Sequence, residues 1–161
     1  MLFRSLMASL FHAAGVRMGA RLLGADRGNE RGHFEDLQMV DFHRAALKAN
    51  GHDPDGYLSE GTVSVPPALE AEGRRLVAER AGAPGVWGWK DPRTVLFLDF
   101  WERVLGQPRY VFMFRSPWGV VGSLLRRGDE AFEEVPVFAA RVWLHYNRSI
   151  LDTVQIGRAH V

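Results

Sequence analysis

The chain contains no cysteine. Disulfides, thiolate metal sites and a cysteine nucleophile are therefore excluded, and a cytoplasmic location is the expectation. Lysine is nearly absent too: of 20 basic residues only Lys48 and Lys90 are lysines. No apolar run approaches the ~20 residues that a membrane-spanning helix requires. The short apolar N-terminus runs into an amphipathic pattern without a cleavage-site signature, which argues against a signal peptide. Charge of one sign is not in excess either. The formal net charge is +1, so no general attraction to nucleic acid or membrane is expected and any anion site must be local. Neither G-x-x-x-x-G-K-[ST] nor G-x-G-x-x-G occurs. The six histidines are scattered without metal-ligand spacing, and no metal is expected.

What remains is ordinary globular composition, 47% hydrophobic and 24% charged over 161 residues, enough for one domain with a real core. Apolar periodicity and helix-stop signals predict helices over 5–14, 35–49, 66–81, 94–105, 118–127 and 135–154. Residues 16–23 read as helix or loop, and 24–32 as a glycine-rich loop. Short apolar runs at 86–89 and 110–114 predict buried strands, each followed by a helix. Strand–helix alternation implies a parallel sheet covered on both faces, an α/β fold.

Three constellations could carry chemistry. In the first, Arg115 ends the run Tyr110-Val-Phe-Met-Phe114, Pro117 opens a helix, and Ser123 follows eight residues after Arg115. A guanidinium and a hydroxyl so spaced can converge on one phosphate; a surface ion pair for Arg115 is the plainer alternative. In the second, Trp87-Gly-Trp-Lys90-Asp91-Pro92-Arg93-Thr94, a strand end would deliver Lys90 to neutralise charge on a transferring group. Pro92 would stop the strand and Thr94 cap the next helix; a surface pairing of Lys90 or Arg93 with Asp91 is the alternative. The third is Asn29-Glu-Arg-Gly-His33-Phe-Glu35-Asp36. Glu35 could accept a proton from an attacking hydroxyl, with His33 as rival base. By spacing alone, Glu35 or Asp36 as a helix N-terminal helper is the simpler reading. The five tryptophans read as core, with adenine stacking open for one.

In order along the chain, Gly15-Val-Arg-Met-Gly19, Leu22-Leu-Gly-Ala, Gly28-Asn29, Gly32-His-Phe-Glu-Asp36, Trp87-Gly-Trp-Lys-Asp-Pro-Arg-Thr94 and Phe114-Arg-Ser-Pro117 resemble bacterial sulfotransferases that use 3′-phosphoadenylyl sulfate. The resemblance spans roughly residues 6–154. It implies a three-layer α/β fold related to P-loop kinases. It also implies sulfuryl transfer from that co-substrate to a hydroxyl or amine on a small-molecule, carbohydrate or peptide acceptor. By the same resemblance Arg115 and Ser123 hold the donor's 3′-phosphate, Lys90 assists transfer, and Glu35 is the base. The family's opening strand and its Gly/Ser/Thr-rich sulfate loop have no counterpart here, so the domain is expected to be incomplete and inactive as it stands. A P-loop nucleotide kinase would need a Walker lysine upstream; a non-catalytic nucleotide-binding module would keep only the phosphate contact.

The termini carry an expectation of their own. Leu2-Phe-Arg-Ser5 can be coded CTC TTC CGA TCT, whose reverse complement, read one frame over, encodes Ile156-Gly-Arg158. Residues 1–5 and 156–161 are thus read as translated sequencing adapter around a native-like segment, 6–155, of one partial domain.

Overall fold

The computed structural model describes residues 3–24, 32–58, 60–126 and 130–155. The adapter readings at 1–2 and 156–161 lie outside these residues, as do Gly28, Asn29 and Arg127. Seven α-helices are present among the described residues: α1 (Phe3–Ala13), α2 (Leu37–Ala49), α3 (Pro67–Ala81), α4 (Leu98–Leu105), α5 (Pro117–Leu125), α6 (Glu130–Glu133) and α7 (Pro136–Gln155). A 3₁₀ helix, Pro92–Phe97, leads directly into α4.

The helices follow from apolar spacing and end signals. In α2, Met39, Phe42, His43, Ala46 and Leu47 are buried, the i, i+3, i+4, i+7, i+8 stripe of a core-facing helix. Asp36 caps its start by accepting from the Gln38 amide at 3.1 Å. Asn50 closes its end, donating from its side chain to the Ala46 carbonyl at 2.7 Å. α3 opens with proline in its first turn, where the missing amide hydrogen costs nothing. Its last turn is closed by Arg17, whose Nη2 donates to the carbonyls of Arg80 (2.9 Å) and Ala83 (2.8 Å).

The main core lies among α2, α3 and α4, with Met39, Phe42, Leu47, Leu76, Phe97, Phe100 and Trp101 packed together. A smaller cluster of Phe132, Ala139 and Val142, backed by Val121, Leu124 and Leu125, joins α5, α6 and α7.

The three-layer parallel sheet is overturned, and with it the P-loop-like layering. Among the described residues there is no strand, only two isolated bridges, Arg17 with Trp87 (parallel) and Leu22 with Asp36 (antiparallel). The 86–89 run contributes one of these pairings through Trp87. The 110–114 run lies outside any helix or bridge, and its Val111 and Phe114 are 60% and 70% exposed rather than buried. The physical reason is that a strand exists only with a partner backbone. An apolar run shows affinity for a core, and periodicity alone cannot supply the neighbour. Residues 16–23, read as helix or loop, are a loop that supplies one side of both bridges. The helix expected over 94–105 splits into the 3₁₀ turn and α4, and Asp91, not Thr94, caps its start.

A buried charged cluster as the candidate functional site

Three short irregular segments converge beside the core. The first is a ribbon: the Leu23 amide donates to the Glu35 carbonyl at 2.7 Å, and the Leu37 amide to the Arg21 carbonyl at 2.9 Å. Phe34 within it has φ +55°, a left-handed conformation uncommon for a non-glycine residue, and it turns the chain immediately ahead of Glu35. The second is the segment leading out of the parallel bridge, where the Arg17 amide donates to Val86 (3.0 Å) and the Gly88 amide to Arg17 (3.1 Å). It delivers Lys90. The third is the 3₁₀ turn, which carries Arg93 and is capped by Asp91 through the Arg93 amide at 2.9 Å.

Glu35 is buried, and its two carboxylate oxygens face two cations. Lys90 Nζ contacts Oε1, and Arg93 Nη2 lies 3.4 Å from Oε2. Arg93 is also held by Asp91, its Nε donating to Oδ2 at 3.2 Å. From above, Gly56 and α7 press on it. Tyr146 Oη donates to the Gly56 carbonyl at 2.7 Å, and a Cβ at Gly56 would stand 2.9 Å from Arg93 Cγ.

Behind Asp91 sits His43, fully buried on α2. Its Nδ1 is 2.9 Å from Asp91 Oδ2, and Trp101 Nε1 donates to its Nε2 at 3.0 Å. The indole is only a donor, so Nε2 must be the acceptor and the imidazole proton resides on Nδ1, pointing at Asp91. Burial pushes the Asp91 carboxyl up, but His43 and the Arg93 guanidinium outweigh it and hold it down to about 2. Burial likewise opposes charge on Arg93, while Asp91 and Glu35 raise its pKa. The chain Trp101–His43–Asp91–Arg93–Glu35–Lys90 thus links the aromatic core to a carboxylate and an ammonium.

The two residues expected to act in catalysis, Glu35 and Lys90, are therefore in direct contact across 55 positions of sequence. The helix-helper role falls to Asp36 alone, which also binds Arg80; Glu35 points away into the cluster. The surface pairing of Arg93 with Asp91 is a buried one. His33 is partly buried, its amide donating to the Leu23 carbonyl at 3.2 Å.

Arg115 and Ser123 stand elsewhere, at the start and along α5. Gly119 and Ser123 lie four positions apart on one face of α5, while Arg115 precedes the helix. The Arg115 guanidinium lies over Gly119, where a Cβ would be 2.9 Å from its Nε. The Arg115 carbonyl accepts from Trp143 Nε1 at 3.1 Å, tying the segment to α7. Ser123, half-buried, is one turn beyond Gly119.

Sequence reasoning missed His43 and Trp101 as parts of this cluster. The available signal was a histidine on the apolar stripe of α2, where an imidazole needs a polar partner. Thr94, assigned as a cap, instead accepts from Trp89 Nε1 at 2.9 Å. No group of acidic and histidine residues among the described residues could hold a metal ion. No described helix is long and apolar enough to cross a membrane. No protein-family model, curated protein or solved structure matches this chain.

Proposed function

We propose that this chain carries residues of a sulfuryl-transfer site that uses 3′-phosphoadenylyl sulfate and a hydroxyl or amine acceptor. The observation that carries the reading is the Glu35–Lys90 pair, in which a carboxylate and one of only two lysines meet inside a buried cluster. In the reaction, an acceptor oxygen or nitrogen attacks the sulfur in line. Its proton passes to Glu35, the sulfur–acceptor bond forms, and the bond from sulfur to the donor's 5′-phosphate oxygen breaks. Lys90 neutralises charge gathering on that leaving oxygen, and adenosine 3′,5′-bisphosphate departs.

Glu35 must first exchange one of its cations for the acceptor. Lys90, on a four-carbon stem, can swing toward the donor. Arg93, clamped by Asp91, stays and keeps the carboxylate oriented. The α5 segment supports the donor half of the reading: the Arg115 guanidinium lies over Gly119, one helical turn before the Ser123 hydroxyl, and both groups are donors suited to a phosphate.

The occupied state of both Glu35 oxygens favours one second reading, a nucleotide-binding module whose charged cluster is structural. Calorimetric titration with adenosine 3′,5′-bisphosphate tests the binding common to both. Wild type should bind, Arg115→Ala should weaken binding at least tenfold, and Ser123→Ala severalfold, the scale of charge-assisted hydrogen bonds. Equal affinity in all three would overturn the α5 assignment.

A further inference from the structure

On the far side of Tyr146, α7 borders a groove of about 440 Å³ that takes no part in the cluster above. Arg141, His145, Arg148 and Asp152 line it from α7 at i, i+4, i+7 and i+11, and Glu60 faces them from the loop that begins near Gly56. This face spans about 16 Å of helix at 1.5 Å per residue. Its charges are of both signs and unspent: Arg141, Arg148, Glu60 and Asp152 form no ion pair or side-chain hydrogen bond among the described residues. Ser149 is turned inward on its own helix, donating to the His145 carbonyl at 3.2 Å.

His145 is partly buried and sits within electrostatic reach of Arg148 and Glu60. Burial and Arg148 push its imidazole below the ordinary histidine range, and Glu60 opposes them. At neutral pH the groove therefore offers two guanidinium groups, two carboxylates and a neutral imidazole. A simple anion entering it meets Glu60 and Asp152; a simple cation meets Arg141 and Arg148. A ligand bearing both signs can satisfy both sets, its anionic group taken by the guanidinium donors and its ammonium by the carboxylates.

We propose that this groove binds a small zwitterion, a molecule in which a phosphate, sulfate or carboxylate group and an ammonium group lie a few bonds apart. The site is separate from the α5 face and does not depend on the sulfuryl-transfer reading.

The test is NMR titration of the full chain with phosphoethanolamine, following the His145 imidazole, with inorganic phosphate and ethanolamine as single-charge probes. Phosphoethanolamine should give a saturable His145 shift at a concentration at least tenfold lower than either probe alone. Arg148→Gln and Asp152→Asn, both at exposed positions, should each raise that concentration at least fivefold while helical circular dichroism is unchanged. Arg74→Gln, an exposed arginine on α3, should leave it alone. The proposal is overturned if phosphate binds as well as phosphoethanolamine, since the groove is then an anion site only. Equal binding by ethanolamine, no saturable shift, or an Arg74→Gln effect as large as that of Arg148→Gln would overturn it as well.

Discussion

At the scale of single residues, His43 decides how the charged cluster is held. Its Nε2 accepts from Trp101 and its Nδ1 proton faces Asp91. Imidazole ¹⁵N spectra should therefore show the Nδ1–H tautomer; the Nε2–H form would contradict this geometry. His43→Asn places an amide donor near the Nδ1 position and should retain most of the stability. His43→Leu should cost about 2–4 kcal/mol in denaturant unfolding, because the buried Asp91 loses a partner. Asp91 also sets an acid limit. Its folded pKa, held at about 2, lies below the ordinary carboxyl value of 3.8. Its contribution is thus complete above the unfolded value and is lost as pH falls through the folded one. Between about pH 4 and pH 2 that loss should amount to about 2 kcal/mol. The difference in stability between wild type and Asp91→Asn should shrink across the same window; a constant difference would show that Asp91 does not titrate as assigned.

At the scale of elements, helices were legible and the paired segments were not, for a physical reason. α2, α3 and α7 announce themselves by apolar stripes and by local stop signals such as Asn50-Gly51 and the Gly82 and Pro84 pair, all of which act within a few residues. The 110–114 run is as apolar as a buried strand, yet Val111 and Phe114 face solvent, because pairing depends on a distant backbone that no local pattern encodes. The site was legible in the same partial way. Glu35 stood out at a helix entry and Lys90 by the scarcity of lysine, but their contact across 55 residues follows from the two bridges that position their segments. Gly19, quoted as part of a sequence motif, shows what such a position does in the fold. It has φ +134°, and a Cβ there would stand 2.6 Å from Asp36 Cγ. Asp36 both caps α2 and binds Arg80, so Gly19→Ala should destabilise by more than about 2 kcal/mol in chemical denaturation, with strain and a displaced cap acting together. A change under about 0.5 kcal/mol would mean that the segment relaxes freely.

At the scale of the whole molecule, the described architecture is helical, with a main core among α2, α3 and α4 and a smaller one under α5, α6 and α7. Far-UV circular dichroism should show double minima near 208 and 222 nm without a strand-dominated component; a spectrum dominated by β-structure would contradict the fold. The cluster from Trp101 to Lys90 sits against the main core, so the rigid part of the molecule holds Asp91 and Arg93 while Lys90 keeps a long stem. Under the proposed function, that division of labour makes Glu35 the proton acceptor and Lys90 the charge stabiliser, acting together. The most direct measurement is release of adenosine 3′,5′-bisphosphate from 3′-phosphoadenylyl sulfate in the presence of hydroxyl and amine acceptors, by this segment joined to an upstream Gly/Ser/Thr-rich sulfate loop, for wild type, Glu35→Gln, Lys90→Met and the double variant. Acceptor-dependent release by wild type is expected, with at least a hundredfold loss in each single variant and no further loss in the double, as for residues working as a unit. Release at the same rate by all four proteins, or by none, would contradict it.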